Sequence, residues 1–104
     1  YILKNYFSKE ILGFIQFRGD LIESEIITLG VKKKYQNLGL GKKLFDYIVE
    51  KGYRNIFLEV SNLNKGAIKF YYKIGFKKIS SRKNYYVNNK KEKEDALLMN
   101  FLKK

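Results

Sequence analysis

Between Ser24 and Val60 the hydrophobic period of the chain changes twice, and this double change restricts the fold more than any other feature. The run "SEIITLGV" (24–31) is almost continuously apolar and rich in β-branched residues, as a strand near a sheet centre would be. From Leu38 the spacing becomes helical. Leu40, Leu44, Phe45, Ile48 and Val49 fall on one stripe, and Gly52 stands where a helix C-cap belongs. "NIFLEV" (55–60) returns to strand. Two strands joined by one helix predict a right-handed crossover with parallel pairing.

The flanks read more simply. "YILKNYF" (1–7) and "EILGFIQF" (10–17) are β-rich runs broken at Ser8-Lys9 in a hairpin-like way, and Gly19-Asp20 makes the next turn. A second helix is expected over "NKGAIKFYYKIG" (64–75), opened by Asn64 as N-cap and stopped by Gly75. "FKKISSRKNYY" (76–86) begins as a strand, Val87 to Glu94 reads as a charged loop, and "DALLMNFL" (95–102) is a final strand. The order β β β α β α β β predicts one α/β (α+β) domain over residues 1–104: a mixed, mostly antiparallel sheet with a central parallel unit and helices covering it.

Composition removes whole classes of chemistry. These 104 residues contain no cysteine and no histidine, so thiolate, Ser-His-Asp and zinc-hydrolase machinery cannot be assembled from them, and no metal is expected. Acid–base work falls to Glu, Asp, Lys, Tyr or water. No apolar run approaches 18 residues and no charged leader precedes an apolar block, so neither a membrane partner nor a secretory signal is expected. The net charge of +12 invites a nucleic-acid reading. Against it, nineteen of the 22 basic residues are Lys, whereas base readout favours Arg, which stands only at positions 18, 54 and 82.

The turn into the first helix, "YQNLGLGKKLF" (35–45), looks built for an anion. It is not a Walker loop, because Gln36 stands where the first Gly should and Lys43 where Ser or Thr should. Nor is it a dinucleotide fingerprint, since Leu44 occupies the third Gly. What remains is Q-x-x-G-x-G opening a helix: Gln36, Gly39 and Gly41 let backbone amides approach a phosphate, with Lys42 and Lys43 adding charge. A glycine-containing turn into a surface helix gives the same letters.

Together with the downstream segment "NIFLEVSNLNKGAIKFYYKIGFKKI", the loop resembles the GCN5-related N-acetyltransferases, in which Q-x-x-G-x-G/A binds the pyrophosphate of acetyl-CoA. Within that family, "LEVSNLNKGAIKFYYKIGF", "RKNYY" and "EDALLM" are similar to the ribosomal-protein alanine N-acetyltransferases, although Val87 replaces the proline usual after "NYY". The resemblance runs from Tyr1 to Leu102 and begins part-way into the family's fold, whose members carry about one strand and two helices ahead of this point. It implies an N-terminally truncated fold whose exposed sheet would favour a homodimer.

The resemblance also implies roles. Glu59, the only acidic residue between Lys51 and Lys91, matches the general base, and Tyr71, from Y-x-x-x-G-F, the acid that protonates the leaving thiolate. Leu29 and Val31 match the strand whose backbone holds the pantetheine arm and acetyl carbonyl. Gln36, Leu38, Gly39, Leu40, Gly41 and Lys42 match the pyrophosphate loop, and Asn64 a coenzyme contact. Tyr85 and Tyr86 match the acceptor groove, where Glu92, Glu94 and Asp95 would attract a basic peptide. Each has an ordinary alternative: a strand-edge charge for Glu59, a core aromatic for Tyr71, a plain N-cap for Asn64, a solvated loop for Glu92 and Glu94. The implied activity is transfer of acetyl from acetyl-CoA to a protein N-terminal amine, such as the alanine of a small-subunit ribosomal protein, in the cytoplasm. Another amine (lysine or polyamine) and a coenzyme-binding fragment without turnover remain the alternatives.

Overall fold

The computed structural model describes residues 1–4, 8–36, 38–87 and 93–103, with residues 84–87 described through their backbone alone. Six strands form one sheet: β1 (Ile2–Lys4), β2 (Ile11–Gly19), β3 (Glu23–Val31), β4 (Asn55–Ser61), β5 (Lys77–Val87) and β6 (Lys93–Leu102), in the order β1-β2-β3-β4-β6-β5. Helix α1 (Leu40–Glu50) connects β3 to β4, and α2 (Lys65–Lys73) connects β4 to β5. The crossover is as the period changes predict, with β3 and β4 parallel at the centre and all other pairs antiparallel. No helix among the described residues is long and apolar enough to cross a membrane.

Alternation decides which face is buried. On β4, Ile56, Leu58 and Val60 point one way, and their register neighbours Phe101, Met99 and Leu97 on β6 share that face. Ile15 and Ile26 from β2 and β3 join them. The amphipathic stripe Leu44, Phe45 and Ile48 of α1 packs onto this layer, and Ala67, Ile68, Tyr71 and Ile74 of α2 close it from the other end. Phe45, Phe76 and Phe101 form the aromatic centre, with ring centroids 5.0–5.9 Å apart. The opposite face keeps Ile2 and its partner Phe14 largely in solvent.

Both helices stop at glycines with left-handed backbones, Gly52 (φ 104°) and Gly75 (φ 110°), as their positions foretold. Two expectations need correction. The strand from residue 77 does not give way at Val87, because Tyr86 pairs with Glu94 and Val87 with Lys93. The last strand therefore starts at Lys93, not Asp95. The charged run from 87 to 94 reads as loop because it carries no apolar alternation to betray a strand. Of the first expected strand, only Ile2–Lys4 is seen as such, and Asn5 to Phe7 lie outside the described residues.

Phe76→Ala should cost about 3–5 kcal/mol, because a fully buried ring in this cluster leaves a cavity. Ile79→Ala, at a half-exposed site three residues on, should cost roughly 0.5 kcal/mol or less. Urea midpoints at constant slope measure both, and equal midpoints would remove Phe76 from the centre of the core.

Candidate active site

A bulge opens the sheet where the site forms. Between β2 and β3, Phe17 faces Ile26 and Gln16 faces Thr28, so Ile27 is the extra residue. Parallel pairing of β3 with β4 covers only Glu23–Glu25 against Asn55–Phe57 and stops just before that bulge. Beyond it the strands part. From Ile27 to Val31, the side of β3 turned towards β4 has no strand partner among the described residues. This backbone edge is available to an extended ligand with amides of its own.

The opening leads to a cleft of about 490 Å³, a size suited to a small molecule. Leu29 and Val31 form its β3 wall, Gln36 and the Gly39–Lys42 turn its positively polarised end, and Ala67, Phe70 and Tyr71 its α2 wall. The two glycines serve different ends. Gly39 adopts φ 78°, a backbone that an L side chain resists, although a Cβ there would meet no atom. Gly41 has ordinary backbone but lies so near Phe70 that a Cβ would sit 3.0 Å from the ring edge. One glycine turns the chain; the other lets the helices approach.

α1 begins without a side-chain cap and without an acidic residue in its first turn. Its first intrahelical bond runs from the Lys43 N–H to the Gly39 carbonyl, 3.0 Å. The helix thus leaves the N–H groups of Leu40, Gly41 and Lys42 without partners of its own, at the positive end of its dipole. The lysines contribute less charge than their letters suggest. Lys42 is paired with Asp46 at 2.7 Å, and Lys43 is not on the cleft wall.

The loop is held from outside the motif. The Tyr35 hydroxyl donates to Glu10, and Lys34 and Lys32 lie 3.1 and 3.4 Å from the same carboxylate. The Gln36 side-chain amide donates to the Val31 carbonyl at 3.0 Å, folding the loop back on β3. The hydrogen bond from Tyr35, reinforced by Lys34, brings the Glu10 pKa down from 4.5 to about 2. Neither Glu10 nor Tyr35 was marked by the sequence motif. An acidic residue 25 positions away carries no local signal.

Tyr71 is half-buried on the cleft wall against Phe70 and Phe76, and its hydroxyl makes no hydrogen bond to a described residue. Burial pushes its pKa up, so it keeps its proton at neutral pH. Glu59 is placed differently. Alternation on β4 turns it to the face opposite the core, where it lies 3.6 Å from Arg82 of β5. Tyr71 and Glu59 therefore flank the strand opening from its two faces. Leu38 is exposed and lies off the cleft wall. Asn64 caps α2, its Oδ1 accepting from the Ala67 N–H at 3.2 Å. Tyr85 and Tyr86 belong to β5 by backbone, while their side chains, like Glu92, lie outside the described residues. Glu94 accepts from the Ser61 hydroxyl, and the Asp95 carbonyl from the Asn62 N–H at 2.8 Å.

Two measurements test this geometry. Gly41→Val should displace Phe70 and abolish coenzyme A binding in calorimetry, and unchanged affinity would refute the assignment of the loop. For Glu10, a depressed pKa stabilises the fold above the ordinary value and loses that effect as pH falls towards the depressed one. The stability gap between wild type and Glu10→Gln should be flat above pH 4.5 and close between 4.5 and about 2. A gap independent of pH would show that the carboxylate's charge is not what holds the loop.

Comparison with known proteins agrees with this architecture. The acetyltransferase (GNAT) family profile matches residues 1–76. N-alpha-acetyltransferase 50 of Danio rerio is 37% identical over 90 residues, which cover 78% of this chain and 54% of that protein. The [ribosomal protein bS18]-alanine N-acetyltransferase of Haemophilus influenzae is 34% identical over 101 residues, covering 93% and 68%. The chain thus spans between about half and two thirds of the length of such relatives. Among solved structures, a GNAT family acetyltransferase from Elizabethkingia anophelis with acetyl-CoA bound superposes with a TM-score of 0.81 at 25% identity, covering 98% of this chain and 74% of that one. The ribosomal-protein-S18-alanine N-acetyltransferase of Escherichia coli gives 0.77 at 30% identity, covering 88% and 61%. The chain belongs to the GNAT acetyltransferase family.

Proposed function

We propose that this chain transfers an acetyl group from acetyl-CoA to the N-terminal amine of a protein. The observation that carries the reading is the two-sided opening between β3 and β4, with a protonated Tyr71 on the cleft side and the Glu59 carboxylate on the other. The pyrophosphate would rest on the free amides of Leu40, Gly41 and Lys42. The pantetheine amides would pair with the edge at Leu29 and Val31 that no strand covers, where Gln36 takes only the Val31 carbonyl and the N–H groups can also polarise the thioester carbonyl. The residues present fit such a ligand, since the α1 terminus offers donors and no competing acid.

In this mechanism the acceptor amine approaches from the Glu59 face. An α-amino group has a pKa of about 7.7–8.0, so a carboxylate, directly or through water, is base enough to take its proton. The amine nitrogen attacks the carbonyl carbon, the C–S bond breaks, and the thiolate takes its proton from the Tyr71 hydroxyl. Arg82 close by keeps a positive charge beside Glu59.

An N-terminal amine is preferred over lysine because the relatives named above carry N-alpha- and alanine N-acetyltransferase names. The N-terminal alanine of a small-subunit ribosomal protein in the cytoplasm is the specific acceptor we propose. Lysine or polyamine transfer is the second reading. Thiol release with acetyl-CoA, followed by mass spectrometry of a panel of alanine-starting peptides, N-blocked lysine peptides and polyamines, separates them. Coenzyme binding with no thiol release on any acceptor would leave a binding module instead.

Glu59→Gln and Tyr71→Phe should each lower kcat by about 10²-fold or more while leaving coenzyme affinity nearly unchanged. Full turnover in both variants would sink the acid–base assignment.

A further inference from the structure

The cleft wall carries one cation that the mechanism above does not use. Lys73 lines the cleft from the last turn of α2. Among the described residues its ammonium has no carboxylate within ion-pair distance, and α2 contains no Asp or Glu. The other lysine on the wall, Lys42, is neutralised by Asp46. Lys73 is therefore the exposed positive charge of this cleft that is left for a ligand.

Its place along the cleft narrows which ligand group it can meet. The thioester end of the coenzyme belongs at Leu29, Val31 and Tyr71, and the pyrophosphate at the Leu40–Lys42 amides. Gly41 meets Phe70 at the point where the first turn of α1 touches α2. Phe70 and Lys73, three residues apart, share one face of α2, whereas Tyr71 is turned to Phe76 in the core, so Lys73 stands on the pyrophosphate side of the cleft and not on the thioester side. Along the coenzyme, the group that follows the pyrophosphate is the adenosine, whose ribose bears a 3′-phosphate. A phosphate monoester carries about −1.5 to −2 charges at neutral pH, and a lysine ammonium recognises it as a point charge, without the fixed geometry an arginine needs.

Resting on the acetyl-CoA reading, we propose that Lys73 binds the 3′-phosphate of coenzyme A and makes the site prefer coenzyme A to its 3′-dephospho form. The plain alternative is a lysine that only complements the negative end of the α2 dipole. That alternative predicts a small change in stability and no change in ligand preference.

The test is calorimetric titration of wild type, Lys73→Gln and Lys73→Arg with coenzyme A and with 3′-dephospho-coenzyme A. Wild type should bind coenzyme A about fivefold more tightly, the scale of one partly solvated charge contact. In Lys73→Gln this ratio should fall to about one through weaker coenzyme A binding alone, and Lys73→Arg should keep most of it. Unchanged binding of the dephospho form also shows that the glutamine variant is folded. A ratio that survives in Lys73→Gln, or a parallel loss for both ligands, would overturn the assignment. Wild type binding both ligands equally would overturn it too, while leaving the coenzyme reading intact. Wild type binding neither would overturn the coenzyme reading itself, and this proposal with it.

Discussion

Everything at the site depends on how briefly β3 and β4 stay together. A parallel pair at the centre of a sheet ordinarily runs its full length, since both faces and both edges are then satisfied. Here it holds for Glu23–Glu25 against Asn55–Phe57 and then ends. Ile27 supplies the cause: as an extra residue against β2 it adds local twist and turns the rest of β3 away from β4. The antiparallel register with β2 resumes at once, Ile15 facing Leu29 and Gly13 facing Val31. β3 is thus anchored on one side while its other edge is opened, which makes an unpaired strand edge tolerable inside a folded sheet. The cost of its unpaired amides is deferred until a ligand satisfies them.

The positively polarised end of the cleft follows from the same economy of partners. A helix that began with Ser or Asp would satisfy its own first amides. α1 begins at Gly39 instead and leaves them open, while Asn64 caps α2 in the ordinary way. The contrast between the two helix starts is why the proposed pyrophosphate seat is the α1 terminus and not that of α2. It also explains why Lys42 matters less than a lysine in a phosphate loop suggests. With Asp46 one turn along the helix, its charge is spent within α1, and oriented backbone dipoles carry the attraction. Glu10 matters for a related reason. It gathers Tyr35, Lys34 and Lys32, so the cations preceding the loop are tied to the β1–β2 side of the sheet.

How much of this the sequence could tell depended on the range of the interaction. The crossover, both helices and their glycine stops are written in local periodicity and appear where the letters place them. The Asn64 cap is equally local. Ile27 is not readable as a bulge, because the adjacent Ile26 and Ile27 sit in a mostly apolar run with no clean alternation to interrupt. Glu10 meets Tyr35 across 25 positions, and Arg82 reaches Glu59 only because β6 lies between their strands. The β5–β6 hairpin was cut short in the reading for a different reason. Its outer end sets the charged Lys93 and Glu94 of β6 against Val87 and Tyr86 of β5, and that pairing is made by the backbone, to which side-chain pattern is blind.

The same division separates the proposed donor side from the proposed acceptor side. Donor-side groups come from a turn, a helix start and a helix wall, where glycines and an aromatic at fixed spacing are needed for the backbone to do its work. Such constraints leave a motif. The groups proposed for the acceptor side are side chains on strands, Glu59 on β4 and Arg82 on β5, set on one face by register and replaceable without disturbing the ladder. Two solved acetyltransferases superpose on this chain at 25–30% identity, and a shared fold of this kind fixes the scaffold without fixing the acceptor, which is decided by side chains on the strand faces.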